Sequence, residues 1–153
     1  MIKTPFRLPS GGMIDRSKHI EFEFNSKTYF GHEGDTLASA LLANGVFLTA
    51  RSFKYHRPRG IMGAGVEEPS CLVELLGENA AGNHPATTIR LRPGLAAKSV
   101  NCWPSPNFDL LSINQLLSRF LPAGFYYTTF MWPSWHLFEP SIRQAAGLAA
   151  APD

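Results

Sequence analysis

Cysteine is nearly absent from this 153-residue chain, which has only Cys71 and Cys102. Two thiols do not build a disulfide framework. The N-terminal Met-Ile-Lys-Thr-Pro-Phe-Arg lacks an apolar stretch of signal-peptide length, so a reducing cytoplasm is the expected compartment. No run approaches the ~20 apolar residues of a membrane span. No Gly-x-Gly-x-x-Gly fingerprint occurs either, since Gly60, Gly63 and Gly65 miss that spacing, so no dinucleotide site is expected. Charge is also scarce, at 17% of residues with a net +2 and a pI near 8.7. So mild and local an excess does not by itself imply nucleic-acid binding.

What is present suffices for a core, with 44% hydrophobic residues, and the aromatics are unevenly placed. Ten of the eighteen lie between Trp103 and Phe138, including all three tryptophans. A small domain has little use for so many in its own core, so part of this region is expected to pack on something outside the chain.

Residues 1–18 hold Pro5, Pro9, Gly11 and Gly12 and read as an extended arm. His19-Ile-Glu-Phe-Glu-Phe24 alternates polar and apolar, the period of a half-buried strand. Asn25-Ser-Lys27 is a turn, and Thr28-Tyr-Phe-Gly31 returns to complete a hairpin. Asp35 is placed to cap a helix, whose stripe is Leu37, Ala38, Leu41 and Leu42 and whose end is Asn44-Gly45, with Gly45 in the left-handed region. Cys71–Leu76 reads as a third strand, Gly77–His84 as a polar loop, and Thr87–Arg92 as a fourth strand stopped by Pro93-Gly94. Strands, a crossing helix and further strands make an α+β pattern that fits a β-grasp sheet. The expected domains are an arm at 1–18, the sheet at 19–98 and an aromatic-rich helical extension at 99–153. In that extension Ser112-Ile-Asn-Gln115 suggests a capping box stapled by Leu111 and Leu116, with Leu116, Leu117 and Phe120 continuing an apolar face to Pro122. An aromatic loop follows over Gly124–Ser134, and Glu139-Pro140 starts a last helix.

One stretch concentrates charge, permissive backbone and a possible ligand. Arg51-Ser-Phe-Lys-Tyr-His-Arg-Pro-Arg-Gly60 is a basic arm, with Arg51, Lys54, His56, Arg57 and Arg59 the candidate contacts to a cofactor phosphate or a subunit. It runs into Gly60, Gly63 and Gly65, then Glu67-Glu68, then Cys71. Plant-type [2Fe–2S] ferredoxins hold iron on a β-grasp sheet through Cys-x₄-Cys-x₂-Cys and a distant fourth cysteine. Ending that spacing at Cys71 puts Gly63 and Glu68 at the other two near positions, and the fourth falls near Thr87. One thiolate cannot hold a cluster that wants four. Gly63, Glu68, Cys71 and Thr87 therefore read as degenerate cluster positions, with no metal and no cofactor bound by this chain alone. Cys71 reads as a buried strand residue, His56 as a packed or surface histidine, and Glu67-Glu68 as a counterbalance to the basic arm.

The strings Arg51–Gly60 and Gly34-Asp-Thr-Leu-Ala-Ser-Ala-Leu-Leu-Ala-Asn-Gly45 resemble the N-terminal region of the alpha subunit of heterotetrameric sarcosine oxidase. So do Arg7-Leu-Pro-Ser-Gly-Gly12, Ile14-Asp-Arg-Ser-Lys18, Pro122-Ala-Gly-Phe-Tyr-Tyr127 and Thr129-Phe-Met-Trp-Pro133. The resemblance covers nearly the whole chain. It implies a ferredoxin-like, cluster-less domain within a flavin-dependent oxidoreductase that converts sarcosine to glycine with O2 and tetrahydrofolate. The complex carries FAD, FMN and NAD, and its partners are the beta, gamma and delta subunits and the remainder of alpha. By that resemblance the chain is a fragment or truncated form, structural and not itself catalytic. Two other readings stand beside it. One is a [2Fe–2S]-type electron-transfer subunit of an amine or opine oxidase, whose small domain keeps its cysteines. The other is a basic nucleic-acid-binding module. Neither nucleic acid nor a membrane is the expected partner.

Overall fold

The computed structural model describes residues 4–77, 81–117, 124 and 129–145. Strand β1 (Asp15–Phe24) buries Ile20, Phe22 and Phe24 and exposes Glu21 and Glu23 between them, so the alternation read from His19 onward sets its inward face. The strand itself begins earlier, at Asp15. Asn25 and Ser26 turn the chain with φ of 51° and 59°, backbone whose twist suits a two-residue hairpin. Strand β2 (Lys27–Glu33) then returns antiparallel, completing the expected hairpin.

Helix α1 (Leu37–Ala43) buries Leu37, Ala38, Ala40, Leu41 and Ala43. Its cap differs from the sequence reading. Thr36, not Asp35, is the N-cap, and its hydroxyl accepts from the Ser39 N–H while the Ser39 hydroxyl accepts from the Thr36 N–H. Asp35 is freed for another partner, described below. At the other end Gly45 takes the expected left-handed conformation (φ 79°), and a Cβ there would meet the ring of Phe6 at 2.8 Å. The arm packs on the helix end at this point, where the Phe6 N–H donates to Ala43 O.

Strands β3 (Ala50–Arg51) and β4 (Pro58–Arg59) form a two-residue ladder that folds the basic segment into a small hairpin of its own. The main sheet is completed by β5 (Leu72–Leu75), β6 (Ala81–Pro85) and β7 (Leu95–Ser99), in the order β2-β1-β7-β5-β6. β7 lies parallel to β1 at the centre, with Phe22 opposite Leu95 and Phe24 opposite Ala97, and antiparallel to β5. Phe22, Phe24, Leu37, Leu41, Cys71 and Val73 centre the core between sheet and helix. Full burial of each large apolar side chain there contributes about 1.5–3 kcal/mol. One crossing helix on a mixed five-stranded sheet is the α+β, β-grasp arrangement expected for a ferredoxin-like domain.

Two strand assignments are corrected. The strand expected at Thr87–Arg92 is a turn-rich segment, and part of the expected Gly77–His84 loop is strand β6. The reason lies in the hydrogen bonds. The carbonyls of Ala86 and Ile89 accept from the N–H groups of Ala38 and Leu37, and the Leu91 N–H donates to Asp35 O. The segment satisfies the open donors of the first turn of α1 instead of a sheet ladder. Its alternating residues still reach the core, Leu91 buried and Ile89 packed against it.

Beyond the sheet, a 3₁₀ turn (Leu110–Ile113) leads into α2 (Asn114–Leu117), and α3 spans Trp135–Ala145. Asp109, not Ser112, receives the open N–H groups here, while Ser112 Oγ donates to Asp109 O. Pro140 lies inside α3 and not at its start, so the carbonyl four residues back lacks an intrahelical donor. Phe120, Pro122 and most of the aromatic loop before Phe130 lie outside the described residues. No helix among the described residues is long and apolar enough to cross a membrane.

Candidate functional site

The β3–β4 hairpin divides the basic arm into two sets. Arg51 is engaged internally, Nε donating to Pro106 O and Nη1 to His56 O, both at 2.8 Å. His56 is buried at a positive φ of 49°, with Nδ1 2.8 Å from Oδ2 of buried Asp109. A carboxylate oxygen accepts, so the contact is satisfied by the tautomer that carries its proton on Nδ1. Of the other cations, Arg57 and Arg59 are exposed and Lys54 is half-buried. Lys54 and Arg57 each lie 5.0 Å from the centroid of the Tyr55 ring, and exposed Arg59 reaches Ser70 Oγ at 3.3 Å. Arg51 and His56 therefore tie the arm to residues 106–109, while Lys54, Arg57 and Arg59 take no part in that tie.

The glycine-rich segment that follows brings Gly63 and Cys71 onto the carboxylate of Glu68, while Thr87 is tied to the same loop at Gly65. Glu68 is buried, and Oε2 accepts from the N–H groups of Met62, at 2.7 Å, and Gly63. Oε1 accepts from Ser70 N at 2.7 Å and Cys71 N at 3.0 Å. Thr87 Oγ1 donates to Gly65 O at 2.7 Å, and Ala86 N donates to Cys71 O at 2.9 Å. Burial alone would push the Glu68 carboxyl up; the N–H groups of Gly63, Ser70, Met62 and Cys71 together outweigh it and hold the group below the ordinary glutamate range. The expected pairing of Glu68 with the basic arm is thus replaced by backbone donors that lie closer in sequence.

These residues do not fit an iron–sulfur cluster. A cysteine is present at one position only, and burial raises the pKa of Cys71, with the nearby Glu68 charge adding to it, so the group is held as a thiol. A Cβ built on Gly63 lies 3.4 Å from Glu68 Oε2, so the ligand space at 63 faces a carboxylate oxygen. Cys102 does not complete the set. It lies beyond the sheet near Asp109 and Arg51, and burial followed by the Asp109 charge pushes its pKa up to about 11, so it is no thiolate nucleophile for the His56–Asp109 pair at neutral pH. Among the described residues no three His, Cys, Asp or Glu side chains cluster to hold a metal.

Sequence reasoning did not find the ion pair that closes the other side of the glycine-rich loop. Arg7 grips Asp35 through both terminal nitrogens, at 3.1 and 2.7 Å. Asp35 also accepts from His32 N at 2.8 Å and Ser39 Oγ at 2.7 Å. The partners are 28 positions apart, with no local pattern linking them. Only the Gly34-Asp35 boundary marked the carboxylate as special. A groove of about 550 Å³ runs between the arm, α1 and the glycine-rich loop, lined among others by Arg7, Gly11, Ser39, Leu42, Ile61 and Thr87.

A family model described as a 2Fe-2S iron-sulfur cluster binding domain matches residues 17–102. The sarcosine oxidase subunit alpha of Rhizobium meliloti (strain 1021) is 55% identical over 152 residues, which is 97% of this chain and 15% of that subunit. The subunit alpha of Corynebacterium sp. (strain U-96) is 37% identical over 58% of this chain and 10% of its own length. The crystal structure of L-proline dehydrogenase from P. horikoshii aligns with a TM-score of 0.45 at 24% identity, covering 56% of this chain and 16% of that one. The chain thus spans less than a sixth of the curated relatives it matches. It belongs to the 2Fe-2S iron-sulfur cluster binding domain family, and within it corresponds to the N-terminal part of sarcosine oxidase alpha subunits.

Proposed function

We propose that this chain is the N-terminal structural domain of a sarcosine oxidase alpha subunit, an oxidoreductase component that docks on the rest of its complex and carries no redox centre. The observation that carries this reading is the 55% identity across 97% of the chain. In the assembled enzyme the partners would be the remainder of alpha and the beta, gamma and delta subunits, and FAD, FMN and NAD would be held there. The docking surface would be the extension, where Trp103, Phe108, Ile113, Leu116, Trp132 and Leu137 are exposed. So many exposed large apolar groups mark a surface that another protein covers. The relatives' remaining length supplies the occupant, the following portion of the alpha subunit. Lys54, Arg57 and Arg59 would meet acidic groups of a partner, arginine forks being suited to carboxylates and phosphates.

The test is complementation. An alpha subunit deleted for the segment matching this chain is co-expressed with the chain and the other subunits. Recovery of the chain in a flavin-containing complex supports the proposal. A chain that stays separate, beside a deleted enzyme that assembles fully without it, overturns it. The electron-carrier alternative rests on the family description alone. Anaerobic incubation of the chain with iron and sulfide is expected to leave it colourless after desalting, because one raised-pKa thiol replaces four thiolates. A stable visible absorption band would restore that alternative.

A further inference from the structure

Glu68 raises a question that the docking role does not answer. A loop whose N–H groups converge on a point is expensive to fold around nothing, since unpaired buried donors are strongly disfavoured. Here four N–H groups, from Met62, Gly63, Ser70 and Cys71, converge on the two oxygens of one carboxylate. Two of the donors belong to the positions that frame a ferredoxin-type cluster, and Glu68 itself stands at a third. Iron–sulfur clusters accept hydrogen bonds from their surroundings at sulfur, so in both cases the loop encloses an anionic acceptor.

We propose that residues 62–71 form a carboxylate-binding cradle for which Glu68 is the resident, covalently attached ligand, taking over the charge and acceptor role of the cluster that the loop does not bind. Convergent backbone N–H groups make such anion-binding concavities. The geometry is two-sided. Oε2 takes the donors on the glycine side and Oε1 those that open β5, so the side chain bridges the start and end of the loop. The buried carboxylate needs no cation, because the four N–H dipoles compensate it. Glu68 thus holds Met62 and Gly63 in place, Gly63 lining the groove, and the domain keeps a loop shape built for an anion without redox chemistry.

The experiment uses the full chain and three readings. In the wild type, amide hydrogen exchange at Met62, Gly63, Ser70 and Cys71 is expected to be slow; exchange at free-peptide rates there overturns the cradle. Glu68→Gln keeps the shape but turns an amide NH2 toward two donors, and is expected to lower the thermal midpoint by roughly 10 °C. Glu68→Ala is expected to fall by as much, and sodium formate, compared with sodium chloride at equal ionic strength, is expected to raise its midpoint while leaving wild type and Glu68→Gln unmoved. A Glu68→Gln protein as stable as wild type, or a folded Glu68→Ala protein indifferent to formate, overturns the proposal. If Glu68→Ala does not fold, the exchange pattern and Glu68→Gln decide.

Discussion

Asp109→Ala is expected to destabilise the chain by about 3 kcal/mol, the scale for stripping one partner from a buried hydrogen-bonded pair. The side chain is fully buried, with three donors on its two oxygens. Oδ2 holds His56 Nδ1, and Oδ1 holds the N–H groups of Trp103, at 3.0 Å, and Leu111, at 3.1 Å. Alanine leaves all three without an acceptor in a site closed to water, and each orphaned buried group costs about 1–3 kcal/mol before relaxation. His56 is also held at a positive φ, a conformation a non-glycine residue keeps only when its surroundings impose it. Loss of Asp109 should therefore release the basic hairpin and the 3₁₀ turn together. Urea unfolding reads the energy, and limited proteolysis between residues 101 and 113 reads the release. Asp109→Asn, which keeps one acceptor oxygen, should fall between. Equal stability of Asp109→Ala and wild type would dismiss the latch.

Asp35→Ala should cost a similar amount, about 3 kcal/mol. Arg7 is largely buried in this pair and Asp35 almost wholly so, so the survivor of either substitution keeps a charge with no counterpart. Removing the aspartate is expected to cost more than removing the arginine, because Asp35 alone also serves His32 N and Ser39 Oγ. Arg7→Lys should recover only part of the loss, since an ammonium cannot present the two-pronged fork. The arm then leaves α1, which fluorescence of a reporter at position 10 or faster cleavage at the Gly11-Gly12 pair would record. An arm that stays protected in Asp35→Ala would show that the Phe6 contact at Gly45 suffices.

How much of this was legible beforehand depended on how local the cause was. The β1–β2 hairpin and the end of α1 follow from period and turn residues within a few positions, and both were readable. Thr87–Arg92 alternates as a strand does, yet its backbone serves the first turn of a helix fifty residues earlier in sequence. Alternation reports which side chains are buried, not which groups their backbone meets. The spacing that lays a ferredoxin frame on Gly63, Glu68, Cys71 and Thr87 is a sequence property, and the structure brings Gly63, Glu68 and Cys71 into one hydrogen-bonded loop. The role of Glu68 was not readable, since a glutamate after Gly-x-Gly reads as a surface charge until the N–H groups around it are located. Asp109 gave no signal, as its partner His56 lies 53 positions away.

The placement of β7 bears on how the domain comes together in time. The central strand pair joins residues 22–24 to residues 95–97, and Asn25 is fastened to Ser99 across 74 positions by paired side-chain bonds. The hairpin and helix can form early from neighbouring residues, but the sheet has no middle until β7 arrives. Non-local pairings of this kind slow folding because the intervening chain must be closed first. During synthesis the nascent domain would thus wait, hairpin made and core open, until residue 99 has cleared the ribosome, and its apolar face is open to capture by chaperones for that interval.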